Sequence, residues 1–151
     1  MADPTILICY DGSKDSDRAI QAAAALLEAR KAVVLDVGPT LTTAESFAAI
    51  SSVVPGTAFD DLNTADALTR AKAGAEQARA AGFTAEPRAT LDSPLWEGIV
   101  AVGDEIDAAV IVIGSRGLTG AREAFEGSVS HQVAEHAGRP VLIVPPANGH
   151  S

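Results

Sequence analysis

"DAAVIVIGSRGLTGAREAFEGSVSHQV", residues 107–133, is the stretch whose reading decides the fold. Its "AAVIVIG" (108–114) is an unbroken apolar, β-branched run closed by glycine, the pattern of a strand buried on both faces. Further on, Val129, Val133 and His136 or Ala137 recur at helical spacing until Gly138 stops them. Between the two lie glycines at 114, 117, 120 and 127. Such a connection is either a long flexible loop or a cradle for phosphate.

Working outward, the same alternation covers the chain. "TILICY" (5–10) is a short β-rich run ended by the turn signal "DGS". Ser13 is placed to cap a helix with Asp15 and Asp17 in its first turn, Arg30 and Lys31 at its far end, and Ile20, Ala23, Ala24 and Leu27 on one face. "AVVLDVG" (32–38) is a second buried strand. Residues 40–62 carry no firm pattern beyond a short helical run, "AESFAAISSVV", and a Pro55-Gly56 turn. Helix formers then run from Thr64 to Ala81, with Gly82 as the stop. "FTAEPRATL" (83–91) alternates weakly, and Pro87 assigns it to a sheet edge. Ser93-Pro94 opens a helix with Trp96, Ile99, Val100 and Gly103 on one face, where Trp96 reads as core. "RPVLIVPP" (139–146) is the last strand. The order β-α-β-α-β-α-β-α-β implies an α/β fold: a five-stranded, mostly parallel sheet with helices on both faces.

Totals bound the function. At 151 residues one domain is expected, and roughly 68–70% of the unfolded surface can be buried without staples. A formal net charge of -9 argues against nucleic-acid and anionic-membrane surfaces, which need clustered Lys and Arg. Cys9, the single cysteine, permits neither an intramolecular disulfide nor a cysteine-built metal site. The N-terminal apolar run is too short for a signal core or a membrane span, so a cytoplasmic protein is expected. His131 and His136 lie five apart, off a common helix face, and make no metal pair.

In open parallel sheets ligands sit beyond the carboxyl ends of the strands, where strand order reverses. "YDGS" leaves strand one and "GSRG" leaves strand four, so neighbouring strands one and four would share a crevice. The second segment has the spacing G-x2-G-x9-G-S: Gly114, Gly117, Gly127, Ser128. Gly114 and Gly117 let backbone approach a ligand. Gly127-Ser128 opens a helix whose unpaired N–H groups favour an anion, the Ser128 hydroxyl adds a donor, and Arg116 can neutralise phosphate charge. With glycine at about 7% of residues, this spacing arises by chance in on the order of one chain in a hundred. Neither a Walker A sequence nor G-x-G-x-x-G is present. Asp11 suits a helix cap and a ligand contact equally.

On "ILICYDGSKDSDRAI" and "VIVIGSRGLTG…GSVSHQVAEHAGRPVLIVPP", the chain resembles the universal stress protein family, end to end apart from residues 40–62. The glycine spacing is that of its ATP-binding branch. The resemblance implies a flavodoxin-like, three-layer fold with strand order 3-2-1-4-5, one domain over 1–146, a disordered tail at 147–151, and homodimers through the last strand (Val141, Ile143). It also implies Asp11 near the ribose or a phosphate-bound Mg²⁺, and Val37 beside adenine. Gly114, Gly117, Gly127, Ser128 and Val129 would hold ribose and phosphates. Two departures stand out. Glu123 and Glu126 fall within the x9 segment, and Asp36 stands where many members have histidine. The expected role is regulatory or sensing, with ATP or another adenine nucleotide as ligand and no turnover. Slow ATP hydrolysis or phosphoryl transfer at the same site, and a nucleotide-free interaction module, are the alternatives.

Overall fold

The computed structural model describes residues 4–37, 56–90, 95–115 and 129–145, with residues 56–66 as backbone only. Nine elements alternate along it: β1 (Thr5–Tyr10), α1 (Lys14–Leu26), β2 (Lys31–Asp36), α2 (Gly56–Ala80), β3 (Thr84–Ala89), α3 (Leu95–Glu105), β4 (Val110–Gly114), α4 (Val129–His136) and β5 (Val141–Val144). The strands form one sheet in the order β3-β2-β1-β4-β5, and every pair is parallel. The expected order 3-2-1-4-5 is the observed one. Pro87 lies on the edge strand β3, where its missing N–H costs no ladder bond.

β1 is central, and Ile6, Leu7 and Ile8 are all fully buried. Consecutive residues on a strand point to opposite faces, so both faces must be covered. Ile6, Ile8, Tyr10, Val34 and Val112 meet Ala19, Ile20 and Ala23 of α1 and Ala75 and Ala78 of α2. Leu7, Cys9, Leu35, Ile111 and Ile113 meet Ile99 and Val102 of α3 and Val133 of α4. Each buried Leu or Ile contributes about 1.5–3 kcal/mol relative to an exposed one. α2 buries a stripe of small residues, Ala67, Ala71, Gly74, Ala75 and Ala78, which lets its backbone lie close to β2 and β3.

Two helix boundaries differ from the sequence expectation. Ser13 does cap α1, its Oγ accepting from the Ser16 N–H, but the helix ends at Leu26 rather than near Arg30 and Lys31. Lys31 is needed as the first residue of β2, paired with Thr5. Arg30 still neutralises the helix end from outside it: Nη2 donates to the carbonyls of Ala24 at 3.1 Å and Leu27 at 3.0 Å. α2 begins at Gly56, eight residues before the expected Thr64, so Gly56 is helical rather than part of a turn, and Pro55 lies outside the described residues. Trp96 is half-buried at the core's rim, and its ring stacks on His136 at 4.3 Å between centroids. The helical run expected at 44–54, the Ser93-Pro94 cap and the 147–151 tail lie outside the described residues.

Candidate functional site

The site is built where the connections out of β1 and β4 part company. Ile6, Leu7 and Ile8 pair with Val110, Ile111 and Val112, and two residues further along lie Tyr10 and Gly114. From there β1 leads into α1 on one face of the sheet, whereas β4 precedes α4 on the other. Such a switch point is where open parallel sheets take their ligands, beyond the carboxyl ends of the strands.

Asp11, Gly12 and Ser13 connect β1 to α1 at this end. Gly12 has φ +83°, a left-handed conformation that glycine adopts without strain. The turn is closed by Asp11, whose Oδ1 accepts from the Ser13 N–H at 2.9 Å. Asp11 thus shapes the loop, while Ser13 caps the helix. Val37 continues β2 beyond its last ladder residue, its N–H donating to the Tyr10 carbonyl at 2.8 Å. Its side chain is buried in the core on the α3 and α4 face. Gly114 ends β4, is buried, and stands opposite Val144. Val129 is the first residue of α4 and is half-buried against the same core as Val37. The structure therefore brings Asp11, Val37 and Gly114 to the carboxyl ends of three adjacent strands. Arg116, Gly117, Gly127, Ser128, Glu123 and Glu126 lie outside the described residues.

Sequence reasoning singled out Asp36 but missed the partner that holds it on the α1/α2 side of this end. Asp36 is only 3% exposed, and Arg70 of α2 grips it with both prongs: Nε to Oδ1 at 2.7 Å and Nη2 to Oδ2 at 3.2 Å. Asp36 stands level with Tyr10, whose hydroxyl accepts from Gln77 Nε2 at 3.1 Å. Asp36 drew notice in the sequence as an unusual residue, but its partner is 34 residues away and carries no local signal.

Two ionisable groups are perturbed. Burial, and secondarily the Asp11 charge, push the Cys9 thiol far up, so Cys9 is an inert core residue and not a nucleophile. The Tyr10 hydroxyl is raised above its ordinary 10.0 by burial first, then by the charge and hydrogen bonding of Asp17, then by Asp11. A raised acid favours the protonated fold: that contribution is complete below pH 10.0 and is lost as pH climbs through the higher folded value. Tyr10 is the only tyrosine, so tyrosinate absorbance reports it alone. In the native protein this tyrosine should be less than half ionised at pH 10.0, with loss of stability accompanying its ionisation above that pH. A simple titration centred on the ordinary value would contradict this burial. Among the described residues no group of three or more His, Cys, Asp or Glu side chains is placed to hold a metal ion, and no helix is long and apolar enough to cross a membrane.

Strand order, parallel register and two helical layers define a flavodoxin-like α/β protein. The model of the universal stress protein family matches residues 4–145, and the chain belongs to that family. It is 32% identical over 144 residues to the universal stress protein YxiE of Bacillus subtilis, covering 92% of this chain and 97% of that one. Among solved structures it is similar to a universal stress protein in complex with cAMP (24% identity, TM-score 0.62, 96% of this chain and 98% of the other). It is also similar to the universal stress protein from Archaeoglobus fulgidus in complex with dAMP (20% identity, TM-score 0.57, 95% and 98%).

Proposed function

We propose that this chain binds an adenine nucleotide, ATP being the form its glycine spacing suits, and acts as a regulatory or sensing dimer rather than as a turnover enzyme. The observation that carries the reading is the switch point itself. Asp11, Val37 and Gly114 end three adjacent strands, and the G-x2-G-x9-G-S segment leaves from the last of them. Val37 backs the base, Asp11 meets the ribose or a phosphate-bound Mg²⁺, and the backbone of Gly114, Gly117 and Gly127 takes the phosphates with Ser128, Val129 and Arg116. Mg²⁺ enters with the phosphates, as it commonly does. The cAMP and dAMP complexes of two similar proteins support an adenine ligand. Nucleotide binding then biases the conformation or partner choice of the protein.

The two sheet edges support a dimer through β5. β3 carries Glu86, Pro87 and Arg88, residues that blunt an edge. β5 is "VLIV" with no charge, and Ile143 is 39% exposed. Pairing with a second copy would satisfy its open backbone groups and cover that side chain.

Calorimetric titration with ATP tests the site. Gly117→Val places a branched side chain in the cradle and should leave a folded protein whose affinity for ATP falls by at least about tenfold, or about 1.4 kcal/mol. Unchanged affinity in that folded variant would remove the cradle from the reading.

A further inference from the structure

We propose that the Asp36–Arg70 pair is a positioning element that sets the base selectivity of the site, holding it to adenine over guanine; this rests on the adenine-nucleotide reading above. A carboxylate as buried as Asp36 is costly unless it is paired and hydrogen-bonded. Arg70 meets that need, but a buried ion pair adds little net stability over an apolar pair of the same size. Packing therefore does not require it. What a two-pronged guanidinium–carboxylate contact adds is fixed orientation, which neither lysine nor an apolar side chain reproduces.

The thing oriented is the end of β2. Val37 follows Asp36 directly and is tied by its N–H to the Tyr10 carbonyl. Tyr10 is the cross-strand partner of Asp36 and is itself held by α2, through Gln77 on its hydroxyl and through Gly74, where its ring and Val34 fill the place of a side chain. Arg70, Gly74 and Gln77 are successive positions on one face of α2. Together they clamp the last rung of the β1–β2 ladder, the rung that leads into the base end of the crevice.

The Val37 N–H is taken by the Tyr10 carbonyl, so what the clamped strand end presents to a base is an acceptor, the Val37 carbonyl. Held rigid, such an edge discriminates between purines. Adenine offers an N6 donor beside an N1 acceptor, whereas guanine offers an O6 acceptor beside an N1 donor. Presented to an edge that cannot move, the wrong base leaves buried polar groups unpaired. Presented to an edge that can shift, both bases are accommodated. Arg70 acts through Asp36 and the strand end, without touching the base.

The test is calorimetry of the full chain with ATP, GTP and AMP, using Arg70→Met and Arg70→Lys, with cooperative thermal unfolding as the check on folding. The unaltered protein should prefer ATP to GTP. Arg70→Met should cut that preference by at least about tenfold, the size expected when unpaired polar groups no longer penalise guanine. Arg70→Lys, which keeps the charge but not the two-pronged geometry, should cut it in part. The ratio of ATP to AMP affinity, which reads the phosphate end, should hold in both. If Arg70→Met does not fold, Asp36→Asn carries the same expectation. Loss of stability with an unchanged ATP-to-GTP preference would overturn the positioning role while leaving the nucleotide reading intact. An unaltered protein that binds both nucleotides equally would overturn it too. One that binds neither would overturn both readings.

Discussion

Gly74→Val should be among the most destabilising single substitutions in the protein. A Cβ at this position would lie 2.7 Å from two ring carbons of Tyr10 and 2.8 Å from Val34 Cγ1. Neither neighbour is the loose end of a long side chain. Tyr10 is held at its hydroxyl by Gln77, and Val34 is fully buried in the middle of β2. The whole of α2 must therefore move off the sheet, and overpacking of this kind costs about 3 kcal/mol or more. For a chain of this length that lowers the midpoint of thermal unfolding by about 6–12 °C. Gly103→Ala is the control. There the nearest atom to a new Cβ is Ile111 Cδ1, a side-chain tip, at 3.2 Å. The gain of about 0.8–1 kcal/mol from replacing glycine inside a helix offsets that crowding, so the change should be near neutral. Denaturant unfolding of the two variants checks the pair. A Gly74→Val loss no larger than that of Gly103→Ala would contradict the close approach of α2 to β1 and β2.

Ile143→Lys should turn a dimer into a monomer. Ile143 lies on the outermost strand of the sheet with 39% of its surface exposed, between two residues that pack inward. A charged side chain there must be desolvated for β5 to pair with its copy, and lysine on an edge strand is one of the common devices that prevents such pairing. Gln21→Lys on the exposed face of α1 adds the same charge away from the edge and should leave the dimer unchanged. Light scattering decides between them. A monomeric unaltered protein at tens of micromolar, on the order of a nanomolar-to-micromolar Kd's saturating range, would overturn the dimer. The β5 edge would then have to be covered within its own chain.

Most of the fold was legible because the strands are written in unbroken apolar runs. "TILICY" and "AAVIVIG" admit few other readings, and Ser13 with Asp15 and Asp17 marks a helix start that the structure keeps. Boundaries failed where a long-range demand outweighed local preference. The alanine-rich run of α1 has no stop signal before Arg30, yet β2 has to begin at Lys31 to meet Thr5. The first eight residues of α2, Gly56 to Asn63, were not read as helix, because Pro55-Gly56 is a turn signal and Asp60, Asp61 and Asn63 are weak helix formers. At the site, spacing exposed the glycine segment with Gly114, the turn after the first strand drew attention to Asp11, and Val37 came from the family resemblance. None of these could expose Arg70, whose meaning depends on a carboxylate 34 residues away.

The central claim is that the crevice between β1 and β4 holds an adenine nucleotide. The most direct measurement is to denature the purified protein and identify by chromatography what it releases, then to titrate the emptied, refolded protein with ATP. The account predicts adenine nucleotide in the released fraction and saturable ATP binding that Gly117→Val weakens by at least about tenfold. A protein that releases no nucleotide and shows no heat on titration with ATP, with or without Mg²⁺, would contradict it.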